Sequence, residues 1–301
     1  MIYLIFAFLT AFFQSLKDLF SKMGLGYLNE YLVAWAVMAF ALPFLLPLLI
    51  FIDIPELTAV FYIALLTGGV LNSISIWLYM RAIKVSDLSI TIPMLTFTPV
   101  FLLATSPIIL GEFPTPLGIA GVLLVVTGSY VLNISKLKQG FWEPFKALVS
   151  QPGPRLMLLV SFIWSITSAI DKVGVLNSSP VFWSISIVSF IAVALLPFML
   201  WKTGHAFSRI KKQFKPLVLI GLFNALVHIT QMIAISVVLV AYVISIKRFS
   251  AVLSVIWGYL FLGEKGLRDR LAGVIIMVAG VIIISDNYGS RGDHYYAVLT
   301  G

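Results

Sequence analysis

The stretch AYVISIKRFSAVLSVIWGYLFLGE, Ala241–Glu264, is long enough to span a bilayer, yet it carries adjacent cations, Lys247 and Arg248, about one third of the way in. A charge near the middle of a spanning helix costs ~3 kcal/mol on insertion scales. Two neighbouring ones need anionic partners, a wet cavity or a ligand. On a helix they stand about 100° apart, so one partner meets both only by sitting between them. An anionic ligand can take that place, with arginine offering its planar fork to a carboxylate or phosphate. Tyr242 and Ser245 lie on the Arg248 side and complete the wall. Structural ion pairing with Asp18 or Asp171 is the competing use of the two cations.

The surrounding chain is as apolar as this stretch. Its 301 residues are 60% hydrophobic and 11% charged, with mean hydropathy +1.06. A soluble domain of this size would have to expose much of that surface to water, so the composition indicates an all-α integral membrane protein. Ten spans are predicted, at 2–23, 31–51, 58–80, 87–110, 115–134, 155–175, 181–201, 216–237, 239–262 and 267–286. The first lacks a basic leader and a small-residue cleavage site, which predicts a retained helix and not a signal peptide. With no cysteine, thiolate metal sites and disulfides are excluded. The net charge of +8 does not indicate nucleic acid, because most basic residues lie in short loops between spans.

The ending Leu262-Gly263-Glu264 occurs once more, as Leu110-Gly111-Glu112. A shift of 152 residues aligns the two without a gap and also places Asn72 on Asn224, Met80 on Met232, Ile92 on Ile244, Phe97 on Phe249, Gly121 on Gly273 and Gly128 on Gly280. A shift of 150 brings Ser15 onto Ser165 and Lys22 onto Lys172. The chain therefore reads as a first five-helix repeat (1–135), an interfacial linker (136–154), a second five-helix repeat (155–286) and a C-terminal tail (287–301). In the linker, Phe141, Trp142, Phe145 and Leu148 interleave with lysines, as in a helix lying on the membrane surface.

Five is odd, so the second repeat enters the membrane upside-down relative to the first. Inverted repeats with a site at their interface are a recurring plan of secondary transporters. Fifteen of the twenty Lys and Arg flank the odd-to-even connections. The positive-inside rule then places those loops in the cytoplasm and both termini outside.

Polar stripes mark the inward faces. In the eighth span Asn224, His228 and Gln231 share one helix face, and the third carries Asn72, Ser75 and Tyr79. Polar groups in hydrocarbon are costly unless partnered, so these faces are expected to line a cavity or bind helix to helix. Asp18, Lys22, Asp171 and Lys172 are the candidates for ion coupling or for plain ion pairing, with Asp18 and Lys22 at helical i, i+4 spacing. The fourth span holds Pro93, Pro99 and Pro107, which predict a bent element. Gly118, Gly121, Gly128, Gly273 and Gly280 offer smooth faces, either between the halves or to a second copy. Glu112 and Glu264 precede helices five and ten, where they would favour the positive end of a helix dipole.

Taken together, the ten spans, the inverted halves, the paired Leu-Gly-Glu endings and the glycine-rich fifth and tenth helices resemble the EamA-type drug/metabolite transporter superfamily. The resemblance runs to about Ser285. It implies a transporter of small metabolites, with no cofactor and no enzymatic activity. Members are usually drawn with both termini in the cytoplasm, the reverse of what the charge count gives here. The small multidrug-resistance relatives couple protons through a glutamate in their first helix, where this chain has Asp18 nearby. Lys247-Arg248 also resembles the Lys-Arg pair that plastid triose-phosphate translocators use to hold phosphate in their ninth helix.

The function expected is secondary transport of a small anionic or zwitterionic metabolite by alternating access, as a monomer or homodimer in membrane lipid, with a proton or counter-substrate as possible coupling ion. The alternative within this fold is export of amino acids or neutral solutes, the cations being paired internally. A membrane-embedded enzyme would need paired carboxylates, a metal cluster or an activated nucleophile, and the sequence has no such pattern. There is no G-x4-G-K-[ST] motif for direct ATP drive.

Overall fold

The structure, a computed structural model, describes residues 2–25, 28–86, 91–134, 142–204, 206–262 and 271–289. Among the described residues ten passes follow one another: Ile2–Leu25; Glu30–Ala39 continued by Leu42–Leu45 and a 3-10 turn Leu46–Ile50; Ala59–Val85; a 3-10 segment Ile92–Phe97 continued by Thr98–Leu110; Pro116–Ile134; Pro152–Leu176; Pro180–Lys202; Phe214–Val237; Val240–Lys247 continued by Ser250–Leu262; and Leu271–Gly289. Short helices Glu143–Ser150 and Ala206–Lys212 lie between passes. The first of these is the linker helix, and Phe145 anchors it edge-on to Phe97 (centroids 5.8 Å apart) and against Tyr130 (5.3 Å).

Proline explains most of the interruptions. Pro43 and Pro47 each open a new helical piece in the second pass, and Pro93 and Pro99 do so in the fourth. A ring without an N–H cannot continue the helix behind it. The ninth pass breaks as well, although it has no proline. The spacing predicts one helix over 239–262, but the backbone tightens at the cations. The Arg248 N–H donates to the Ser245 carbonyl (3.0 Å) and the Phe249 N–H to that of Ile246 (2.9 Å), before Ser250 starts a new helix. Broken helices at membrane depth are tolerated where protein or a cavity, and not lipid, receives the freed backbone groups.

The repeat is visible in backbone detail. Asn29 Oδ1 caps the second pass by accepting the Leu32 N–H (2.9 Å), and Ser179 Oγ caps the seventh by accepting that of Phe182 (3.1 Å). The third pass ends at Ser86 (φ −153°, ψ 161°) and the eighth at Val238 (φ −145°, ψ 166°), again one repeat apart. The fourth and ninth passes break at corresponding places, before Thr98 and before Ser250.

The extensive interfaces all join one repeat to the other. The fifth pass packs on the tenth, the first on the eighth and the third on the sixth, with smaller contacts of fourth on sixth, first on ninth and second on seventh. Each pairing has its inverted counterpart, as a pseudo-twofold axis requires. The fifth and tenth passes touch backbone to backbone: a Cβ on Gly128 would lie 2.6 Å from the Gly273 carbonyl oxygen, and one on Gly273 2.7 Å from that of Gly128. Gly121 and Gly280 repeat the arrangement. These faces serve the contact between halves.

Candidate functional site

The break in the ninth pass carries Lys247 at the end of its first helix and Arg248 at the turn. Lys247 Nζ donates to Gln231 Oε1 of the eighth pass (2.6 Å). It lies within Coulombic range of Lys17 and Asp18 from the first pass, Asp171 from the sixth and His228 from the eighth. Arg248 is within range of Asp18, and Asp18 in turn of Tyr79 on the third pass. By the 1.5 Å rise per residue, Asp18 and Tyr79 sit roughly 10 Å inside the basic ends of their helices, and Asp171 roughly 8 Å inside the opposite end. The cations are thus flanked by one carboxylate in each half of the membrane.

Among the described residues no close partner neutralises either cation. Neither has a carboxylate within ion-pairing distance among them, whereas Lys172 pairs with Glu112. Arg248 Nε and His228 Nδ1 are buried atoms with no hydrogen-bond partner. Buried polar atoms are paired in more than about 90% of cases, so two orphans in one cluster call for a partner from outside the chain. Gln14 separates the charges of the first pass: its Nε2 donates to Asp18 Oδ1 (2.8 Å) and its Oε1 accepts from Lys17 Nζ (3.1 Å). Asp18 itself remains exposed.

The other candidates divide into those near the cluster and those packed between helices. Asp171 is held by the buried Trp183, whose Nε1 donates to Oδ1 (3.0 Å). Tyr79 stacks on Trp164 (5.9 Å), which donates Nε1 to Ser75 Oγ (2.8 Å), and Asn72 is half-buried on the same helix. Asn224 is 1% exposed and donates to the Val37 carbonyl of the second pass (3.0 Å). Tyr242, also 1% exposed, sets its hydroxyl against Gly118 of the fifth pass. Asn224→Ala is therefore expected to lower stability by about 1 kcal/mol, the net value of one hydrogen bond, read from the thermal unfolding midpoint in detergent. The Lys22 side chain and Glu264 lie outside the described residues.

Three contributors are not among the candidates read from the sequence: Lys17, Gln14 and Trp183. Lys17 alone leaves a clear signal, because it is a charge inside a span, as Lys247 is. Two grooves, of about 270 Å³ (Glu30, Tyr31, Trp77, Met80, Arg81, Val85) and about 320 Å³ (Phe8, Phe249, Val278, Val281, Ile282, Ser285, Asp286), contain none of the cluster's charged groups.

Comparison with known proteins agrees with this architecture. No curated protein matches the chain. One solved crystal structure aligns over 93% of this chain and 95% of its own, with TM-score 0.65 at 13% identity, a likeness of fold. The model of the EamA-like transporter family matches residues 1–134 and again 151–286, one match per repeat. The chain belongs to the EamA-like transporter family.

Proposed function

We propose that this protein is a secondary transporter of a small anionic or zwitterionic metabolite, bound between the repeats at Lys247 and Arg248. One observation carries the reading: two cations at a helix break, deep in the membrane, with no carboxylate at ion-pairing distance among the described residues. Lys17 adds a third positive charge from the first pass. Asp18 and Asp171 offer carboxylates to the amino group of a zwitterion or to a coupling proton. The internally paired alternative requires a close ion pair at Lys247 or Arg248, and neither makes one among the described residues. The basic loops belong in the cytoplasm and the termini outside, by the excess of Lys and Arg on one face.

The test is ligand-induced thermal stabilisation of the purified protein against dicarboxylates, phosphate monoesters, amino acids and neutral polyols. A ligand at about 100 times its Kd stabilises by ~2.7 kcal/mol. Anions or zwitterions are expected to raise the midpoint and polyols to leave it unchanged. Stabilisation by polyols alone would overturn the assignment.

A further inference from the structure

The geometry points to a latch, made by Glu112 and Lys172, that holds the two repeats closed on the face opposite the basic loops and opens in each transport cycle. It rests on the alternating-access reading above, but not on the identity of the substrate.

Glu112 follows Gly111, whose φ of 68° is the left-handed conformation that ends the fourth pass and turns the chain back on itself. The turn delivers the carboxylate to the second repeat and not to its own fifth helix. Oε1 pairs with Lys172 Nζ of the sixth pass. Oε2 accepts from Ser106 Oγ (2.9 Å) and from the Val240 N–H (3.0 Å), which opens the ninth pass. Lys172 Nζ also donates to the Val238 carbonyl (2.8 Å), where the eighth pass ends. A helix end leaves N–H and C=O groups without intrahelical partners. Here both sides of the break between eighth and ninth passes are satisfied by one ion pair, and its carboxylate comes from the first repeat. On the same face Thr58 Oγ1 donates to Asn177 Oδ1 (3.2 Å), a neutral contact between the halves.

The latch is joined to the binding cluster by two short covalent paths. Val240 and Lys247 are the two ends of one helix, Val240–Lys247. Lys172 adjoins Asp171, which lies in Coulombic range of Lys247. A ligand that moves Lys247 therefore moves the helix that Glu112 caps. The pair is nearly buried and charge-assisted, so it is strong when made and costly to leave half-made. Separating the repeats on this face requires breaking it.

The chain has no cysteine, so F113C and L176C can each be spin-labelled specifically. Phe113 is 70% and Leu176 61% exposed, one beside the latch in the first repeat and one at the end of the sixth pass. Electron-electron distance distributions would be compared for the doubly labelled protein and for the same protein carrying E112Q or K172Q, without ligand, in liposomes. Loss of one charge-assisted bond is expected to raise the long-distance population about tenfold or more. The effect should be larger for E112Q, since the amide introduced by K172Q can still donate to the Val238 carbonyl. Distributions that superimpose on the parent in both variants would overturn the latch. If E112Q fails to give a monodisperse peak, K172Q decides alone. Because no ligand is added, failure of the anion assignment leaves this result interpretable.

Discussion

Arg248→Gln is expected to abolish transport while leaving the thermal midpoint unchanged or higher. Arg248 keeps its charge in the membrane with a buried Nε that has no partner and no carboxylate at ion-pairing distance among the described residues. A group held that way costs stability, and the shorter neutral glutamine removes the unpaired charge. Its return is made only when an anion arrives. Charge-assisted hydrogen bonds are worth ~1.5–3 kcal/mol each, so losing one lowers ligand affinity about tenfold or more and losing two about 100-fold or more. Lys247→Gln is expected to follow in transport, with a smaller gain in stability because Lys247 already donates to Gln231. A variant that loses transport by unfolding would instead show a lower midpoint, so the two measurements together separate a binding role from a structural one.

The second large effect belongs to the glycines. Gly128→Val is expected to destabilise the protein by at least about 3 kcal/mol, the upper end of ordinary overpacking costs. The atoms it would strike are backbone: the Gly273 carbonyl oxygen at 2.6 Å and the Met277 nitrogen at 2.7 Å, neither of which has a rotamer to yield. Gly273→Val should do the same from the other side. Gly204→Ala is the control, since a Cβ there meets nothing within 4 Å. Size-exclusion profiles and unfolding midpoints in detergent read the difference. Equal tolerance of all three would mean that the fifth and tenth passes are not held in backbone contact.

Much of the fold is legible in the sequence. The ungapped alignment of Gly111-Glu112 with Gly263-Glu264 carries the register that reappears as matched helix breaks and helix ends, and the ten predicted spans fall on the ten passes. The break at Arg248 was not legible, because the signal for such breaks is proline and the ninth pass has none. The charge penalty picks out Lys247 and Arg248 from sequence alone, but their grouping with Lys17, Asp18 and Asp171 depends on packing between the first, sixth and ninth passes. Glu112 shows the limit most clearly. Its place before the fifth helix suggests the dipole of that helix, yet the left-handed turn at Gly111 sends it to cap the ninth. Helix polarity was the right physics, applied to the wrong helix.

We propose that Lys247 and Arg248 hold the transported anion or zwitterion. Counterflow in proteoliposomes tests it most directly, with vesicles preloaded in turn with dicarboxylates, phosphate monoesters, amino acids or neutral polyols, and with wild type run beside Arg248→Gln. The expected result is exchange of at least one anionic or zwitterionic class by wild type, none with polyols, and none by the folded variant. Exchange confined to neutral solutes, or undiminished exchange by Arg248→Gln, would contradict it.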